Sequence, residues 1–71
     1  MDIMLNGAPH QVPDGSTIAD LIDALGLVGK RLAVEVNLDV VPRAEHRGTS
    51  LQAGDRVEIV HAIGGGQAAP C

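Results

Sequence analysis

The chain contains no Phe, Tyr or Trp in 71 residues. Without aromatic rings there is no platform on which unpaired bases stack, which argues against single-stranded nucleic acid as a partner. Cysteine is nearly absent too. Cys71 stands alone, so no disulfide can close within the chain. Positive charge is scarce: five Lys and Arg face nine Asp and Glu, a formal charge of -4. That balance disfavours a phosphate backbone and an anionic lipid surface. No apolar run approaches the roughly 20 residues that cross a bilayer. No basic segment followed by an apolar one opens the chain, so no signal peptide is expected. The expected location is therefore cytoplasmic, with no nucleic-acid or membrane partner. Length excludes more. A domain this small hides only about 60% of the surface its unfolded chain exposes. One domain is the limit, and a deep private active-site cavity is out of reach. A carrier, a binding module or a subunit fits better than an enzyme acting alone.

What is present is aliphatic. Eight Val, seven Leu and five Ile must build the core. Charge is uneven: residues 1–29 hold Asp2, Asp14, Asp20 and Asp23 but no Lys or Arg. An acidic half can steer a basic partner, although a solvated face is the simpler reading. Asn6-Gly7 tolerates the positive φ of a tight turn and predicts a hairpin. Leu5 should pair with Ala8 and Ile3 with His10, with a return strand at about Pro9–Pro13. Pro9 and Pro13 lack an N–H, so that strand belongs at a sheet edge. Thr17 and Asp20 have the spacing of a capping box. Ile18, Leu21, Ile22 and Leu25 then follow at i, i+3, i+4 and i+7, one stripe of a helix that Gly26 closes.

Leu32 to Leu38 alternates as a strand, with Leu32, Val34, Val36 and Leu38 on one face. Asn37 to Asp39 predicts a turn and Val40-Val41 a short strand closed by Pro42. Residues 43–54 read as a loop with one helical turn near Arg43–Arg47, anchored by Leu51. Gly54-Asp55 turns the chain into a last strand from Arg56 to Ile63, with Val57 and Ile59 inward. Val60 then faces outward, where an apolar residue is unexpected. One helix across a mixed sheet of four to five strands is an α+β arrangement of the β-grasp, or ubiquitin-like, plan. The expected division is a β-grasp domain over residues 1–63 and a flexible tail over 64–71.

Gly64-Gly65-Gly66 follows the last strand directly. Three glycines cost backbone entropy and bury no side chain. On a β-grasp body they serve to thread a narrow channel and deliver a carboxylate to another protein. They do not form a phosphate loop, since no Lys-Ser/Thr and no helix follow. His10, His46 and His61 share no metal-ligand spacing with one another or with Cys71, so no metal site is expected. Cys71 has no helix terminus or positive neighbour to activate it. No catalytic cluster is apparent. Val60, His61, Ala62, Ile63 and Arg43 are candidate docking residues. For Val60 the rival is core packing through a bulge.

Val34-Glu35-Val36-Asn37, Val40-Val41-Pro42-Arg43 with Glu45-His46, the run Gly54 to His61 and Gly64-Gly65-Gly66 together resemble the ThiS sulfur carriers of thiamin (thiazole) biosynthesis. The resemblance spans nearly all of residues 1–66. It implies that an E1-like adenylating enzyme of the ThiF class activates a terminal glycine carboxylate with ATP. Sulfur from a cysteine desulfurase then gives a thiocarboxylate, which thiazole synthase of the ThiG class accepts. No cofactor is bound by the carrier itself. By this resemblance Gly66 bears the group, with Gly65 beside it. Gln67 to Cys71 departs from the pattern, because Gly66 is then an internal amide. A protease that cuts between Gly66 and Gln67 would restore the carboxylate. Two other roles remain open on the residues. One is a carrier for molybdopterin, cysteine or tRNA thiolation, and the other is an interaction module that is never activated.

Overall fold

The chain reverses at Asn6-Gly7, where both residues take positive φ, +50° and +83°. This turn joins β1 (Asp2–Leu5) to β2 (Ala8–Gln11) in the expected register, Leu5 opposite Ala8 and Ile3 opposite His10. The computed structural model describes residues 1–61. They continue through α1 (Ile18–Ala24), β3 (Leu32–Val36), β4 (Asp39–Val41), a 3-10 turn at Arg43–Glu45, and β5 (Arg56–His61). The five strands make one sheet in the order β2-β1-β5-β3-β4. β1 and β5 run parallel and every other pair antiparallel. Pro9 thus sits on an edge strand, where its missing N–H costs no ladder bond.

The helix lies where its stripe demands. Ile18, Leu21 and Ile22 are buried together with Ile3, Val12, Val34, Leu51 and Val57. Leu25 and Leu27 pack at the margin of that cluster. The predicted capping box is present. Asp20 N–H donates to Thr17 Oγ1 at 3.1 Å and Thr17 N–H donates to Asp20 Oδ2 at 3.0 Å. Gly26, just past the Leu25 cap, takes φ +73°.

The loop after the 3-10 turn completes the helix start. Ile18 N–H donates to Thr49 C=O and Ala19 N–H to His46 C=O, both at 3.0 Å. Leu51 N–H donates to Ser16 C=O at 2.8 Å, and Leu51 itself is 3% exposed. The first-turn donors that a short helix leaves unpaired are therefore met by this loop. His46 is buried for the same reason: its ring Nε2 lies 3.1 Å from Val41 C=O and pins the loop to β4.

Two expectations need correction. The alternation of β3 stops at Val36. Leu38 is not on the core face but 78% exposed, with φ +74° in the β3–β4 turn. Asn37 beside it takes φ +52°, so the turn begins one residue before Leu38 reaches the sheet. The return strand is also shifted, running Ala8–Gln11 rather than to Pro13. Val12 still reaches the core. The expected boundary at residue 63 and the tail from 64 lie outside the described residues.

Candidate functional site

β5 is the middle strand, and it carries the chain toward the glycine run. How it is held therefore fixes where the described part of the chain ends. On the β1 side the backbone ladder ends where Leu5 meets Val57. The side chain of Asn6 takes over beyond that point. Its Oδ1 accepts from Ile59 N–H at 2.9 Å and its Nδ2 donates to Ile59 C=O at 3.3 Å. One amide side chain thus copies the donor-acceptor pair of a strand residue. A second asparagine works at the start of β5. Asn37 Oδ1 accepts from Arg56 N–H at 3.0 Å, while its Nδ2 donates to Asp55 Oδ1 at 3.0 Å. On the β3 side the ladder runs unbroken through Ala33–Val60 to Leu32–His61.

Asn6→Ala tests this clamp. It removes two hydrogen bonds worth about 0.5–1.5 kcal/mol each and puts an alanine at a positive φ that asparagine tolerates better. Urea unfolding is expected to show a loss of about 1–3 kcal/mol. A chain as stable as the parent would mean that the clamp adds nothing to β5.

The candidate docking residues divide into three groups. Val60 is 59% exposed, opposite Ala33 in regular register, so no bulge turns it into the core. His61 is exposed at the strand end. Arg43 is exposed on the 3-10 turn, away from the outer sheet face. It lines a groove of about 590 Å³ with Asp20, Asp23, Lys30, Leu32 and Arg47. Leu32 is also the partner of His61, so the groove adjoins the end of β5. Ala62, Ile63, Gly64, Gly65, Gly66 and the segment 67–71 lie outside the described residues.

The sequence reading missed this groove. It has acids on the helix wall and bases on the other, and only the fold brings Asp20 and Asp23 near Arg43 and Arg47. The separate signals were visible as charges off the apolar stripe and as a basic loop. Nothing in their spacing joined them.

A single helix across a mixed sheet, with a hairpin first and a parallel middle strand last, defines the β-grasp class of small ubiquitin-like domains. The crystal structure of a thiamine biosynthesis protein (ThiS) from Geobacter metallireducens superimposes with a TM-score of 0.81 at 30% identity, covering 93% of this chain and 100% of that one. Residues 3–66 match the ThiS family, and the chain belongs to it. Two longer proteins are also similar. A thiazole synthase of Magnetococcus marinus is 44% identical over 70 residues, 99% of this chain and 22% of that protein. A thiazole synthase of Paramagnetospirillum magneticum is 35% identical over 66 residues, 93% of this chain and 20% of that protein. The chain thus spans about a fifth of the length of these two relatives.

Proposed function

We propose that this chain carries sulfur for the thiazole ring of thiamin as a thiocarboxylate on Gly66. The observation that carries the reading is the extent of the ThiS match, which starts at Ile3 and stops at Gly66. The thiamine biosynthesis protein of the same fold and the thiazole synthases that contain a similar stretch support the same pathway. Among the described residues no helix is long and apolar enough to cross a membrane. A cytoplasmic carrier is part of the proposal.

The chemistry belongs to the partners. A carboxylate is a poor electrophile because its leaving group would be oxide. An E1-like enzyme of the ThiF class lets the Gly66 carboxylate attack the α-phosphorus of ATP, and pyrophosphate leaves. The acyl carbon now bears AMP, a good leaving group. The terminal sulfur of a cysteine desulfurase persulfide attacks that carbon and expels AMP. A thiol then attacks the inner sulfur of the acyl disulfide, keeps it as a mixed disulfide, and releases the thiocarboxylate. Thiazole synthase accepts the sulfur. ATP is consumed by the partner and is not bound by this chain.

Gln67 to Cys71 must first be removed, because Gly66 otherwise ends in an amide. The match to the Magnetococcus protein covers 99% of this chain and so runs past Gly66. A glycine inside a longer polypeptide requires the same peptide-bond cleavage. A trimming protease acting between Gly66 and Gln67 is therefore part of the proposal.

The test is the intact mass of the protein from cells that make its partners and need thiamin. A species ending at Gly66 with one carboxylate oxygen exchanged for sulfur is the expected result. A chain ending at Cys71 without added sulfur would favour an interaction module that is never activated.

A further inference from the structure

Two asparagines hold β5, and their neighbours in sequence give them different chemical fates. Asn6 precedes Gly7 and Asn37 precedes Leu38, and the chain has no other asparagine. All four residues are exposed. An asparagine side chain loses its amide when the backbone nitrogen of the next residue attacks its Cγ. The residue that supplies the nitrogen controls access to that carbon. Gly7 has no Cβ, and the space where one would stand holds no atom within 4 Å. After Asn37 the branched side chain of Leu38 crowds the same path. Asn6 is therefore the open site by local sterics. The fold adds a restraint. Asn6 Oδ1 accepts from Ile59 N–H at 2.9 Å and Nδ2 donates to Ile59 C=O at 3.3 Å, which holds the amide toward β5.

We propose that Asn6 is a deamidation site, that its clamp on Ile59 is the gate that slows the reaction, and that the product destroys the gate. The side chain releases Ile59 and turns its Cγ to the Gly7 nitrogen, which gives its proton to base and attacks. The new N–Cγ bond closes a five-membered imide, the Cγ–Nδ2 bond breaks, and the amide nitrogen leaves as ammonia. Water then opens the imide at either carbonyl. Attack at Cγ restores the peptide bond and leaves aspartate at position 6. Attack at the main-chain carbonyl leaves Gly7 joined through Cγ, an isoaspartate with an additional CH₂ in the backbone. No oxidant, reductant or enzyme enters. Either product replaces the Nδ2 donor by a carboxylate oxygen. An acceptor then faces the Ile59 carbonyl where a donor stood, and the two repel. The isoaspartate also lengthens a turn whose residues sit at φ +50° and +83° and set the hairpin register. The change is one-way, so β5 loses its hold on the side where the β1 ladder has already stopped. This chemistry is independent of any group the chain carries.

The 71-residue chain is incubated in mildly alkaline buffer, folded and in urea, and amide loss at each asparagine is followed by peptide mass mapping. Asp14-Gly15 can close the same kind of imide, but it loses water instead of ammonia and ends with no change of mass. Asn6 is expected to react ahead of Asn37 in both states. Folding is expected to slow Asn6 by at least about tenfold, because two hydrogen bonds must open first. Hydrogen exchange of the Ile59 amide in the parent should show protection of similar size, since the same opening frees that proton. The product made in urea, separated by its added negative charge and refolded, should unfold at lower urea than the parent. Asn6→Asp supplies the aspartate form without the altered backbone and should shift the midpoint in the same direction. An Asn37 that reacts as fast as Asn6 would overturn the assignment of the site. Equal rates at Asn6 in the folded and unfolded chains would overturn the gate. A product and an Asn6→Asp variant that both keep the parent midpoint would overturn the loss of hold on β5.

Discussion

A chain shortened to end at Gly66 is expected to take up AMP and then sulfur, and the 71-residue chain to take up neither. The difference should be close to all or none, because it rests on which functional group Gly66 presents. With Gln67 attached, the Gly66 carbonyl belongs to a peptide bond. An amide has no anionic oxygen to attack the α-phosphorus of ATP, and its resonance makes it a weaker nucleophile still. With Gln67 removed, the same carbon carries a carboxylate. The check is pyrophosphate release from ATP by the adenylating enzyme, with the intact mass of the carrier read at the end. A chain ending at Gln67 serves as the control for length, since it also has a terminal carboxylate but on a residue with a bulky side chain. Equal pyrophosphate release from the shortened and the 71-residue chains would mean that activation does not pass through a Gly66 carboxylate. That result would remove Gly66 and Gly65 from the site together.

Much of this fold could be read from local signals because each element carries its own instructions. Asn6-Gly7 states the hairpin and its register, and Thr17 with Asp20 states the helix start. Val34 and Val57 state which face of each strand is inward, and both are essentially inaccessible in the fold. What could not be read is long-range. The capacity of Asn6 to pair with Ile59 depends on β1 and β5 lying side by side, 53 residues apart in sequence. The burial of His46 depends on a loop meeting the first turn of α1 and the end of β4. Leu38 misled for a different reason. Its place in the alternation is correct, but the backbone of Asn37 and Leu38 turns into positive φ before the pattern can be used. Of the candidate site, Val60 could be placed from strand alternation alone, whereas His61 shares the alternation of Val57 and Ile59 and is nevertheless exposed.

Leu21→Ala should be the most damaging single truncation in the body of the protein. Leu21 is 1% exposed and lies on the helix stripe with Ile18 and Ile22. A Leu-to-Ala change at such a site costs about 2–5 kcal/mol through lost burial and the cavity left behind. The stability available to a domain of this size is about 0.05–0.15 kcal/mol per residue, so the loss is comparable to the whole. Two features of the sequence leave little in reserve. No aromatic side chain spreads across the core, and among the described residues the buried cluster consists of eight aliphatic residues. The helix is also only seven residues long and cannot persist without the packing that Leu21 supplies. Its loss would release Thr49 and His46 from the helix start and expose the groove wall that Asp20 and Asp23 form. Urea unfolding followed by circular dichroism is the measurement, with Leu38→Ala as the comparison. Leu38 loses the same atoms from a 78% exposed position, so its change should stay within about 0.5 kcal/mol. Equal effects at the two positions would mean that the helix is not what holds the sheet together, and that the core assigned to this domain is wrong.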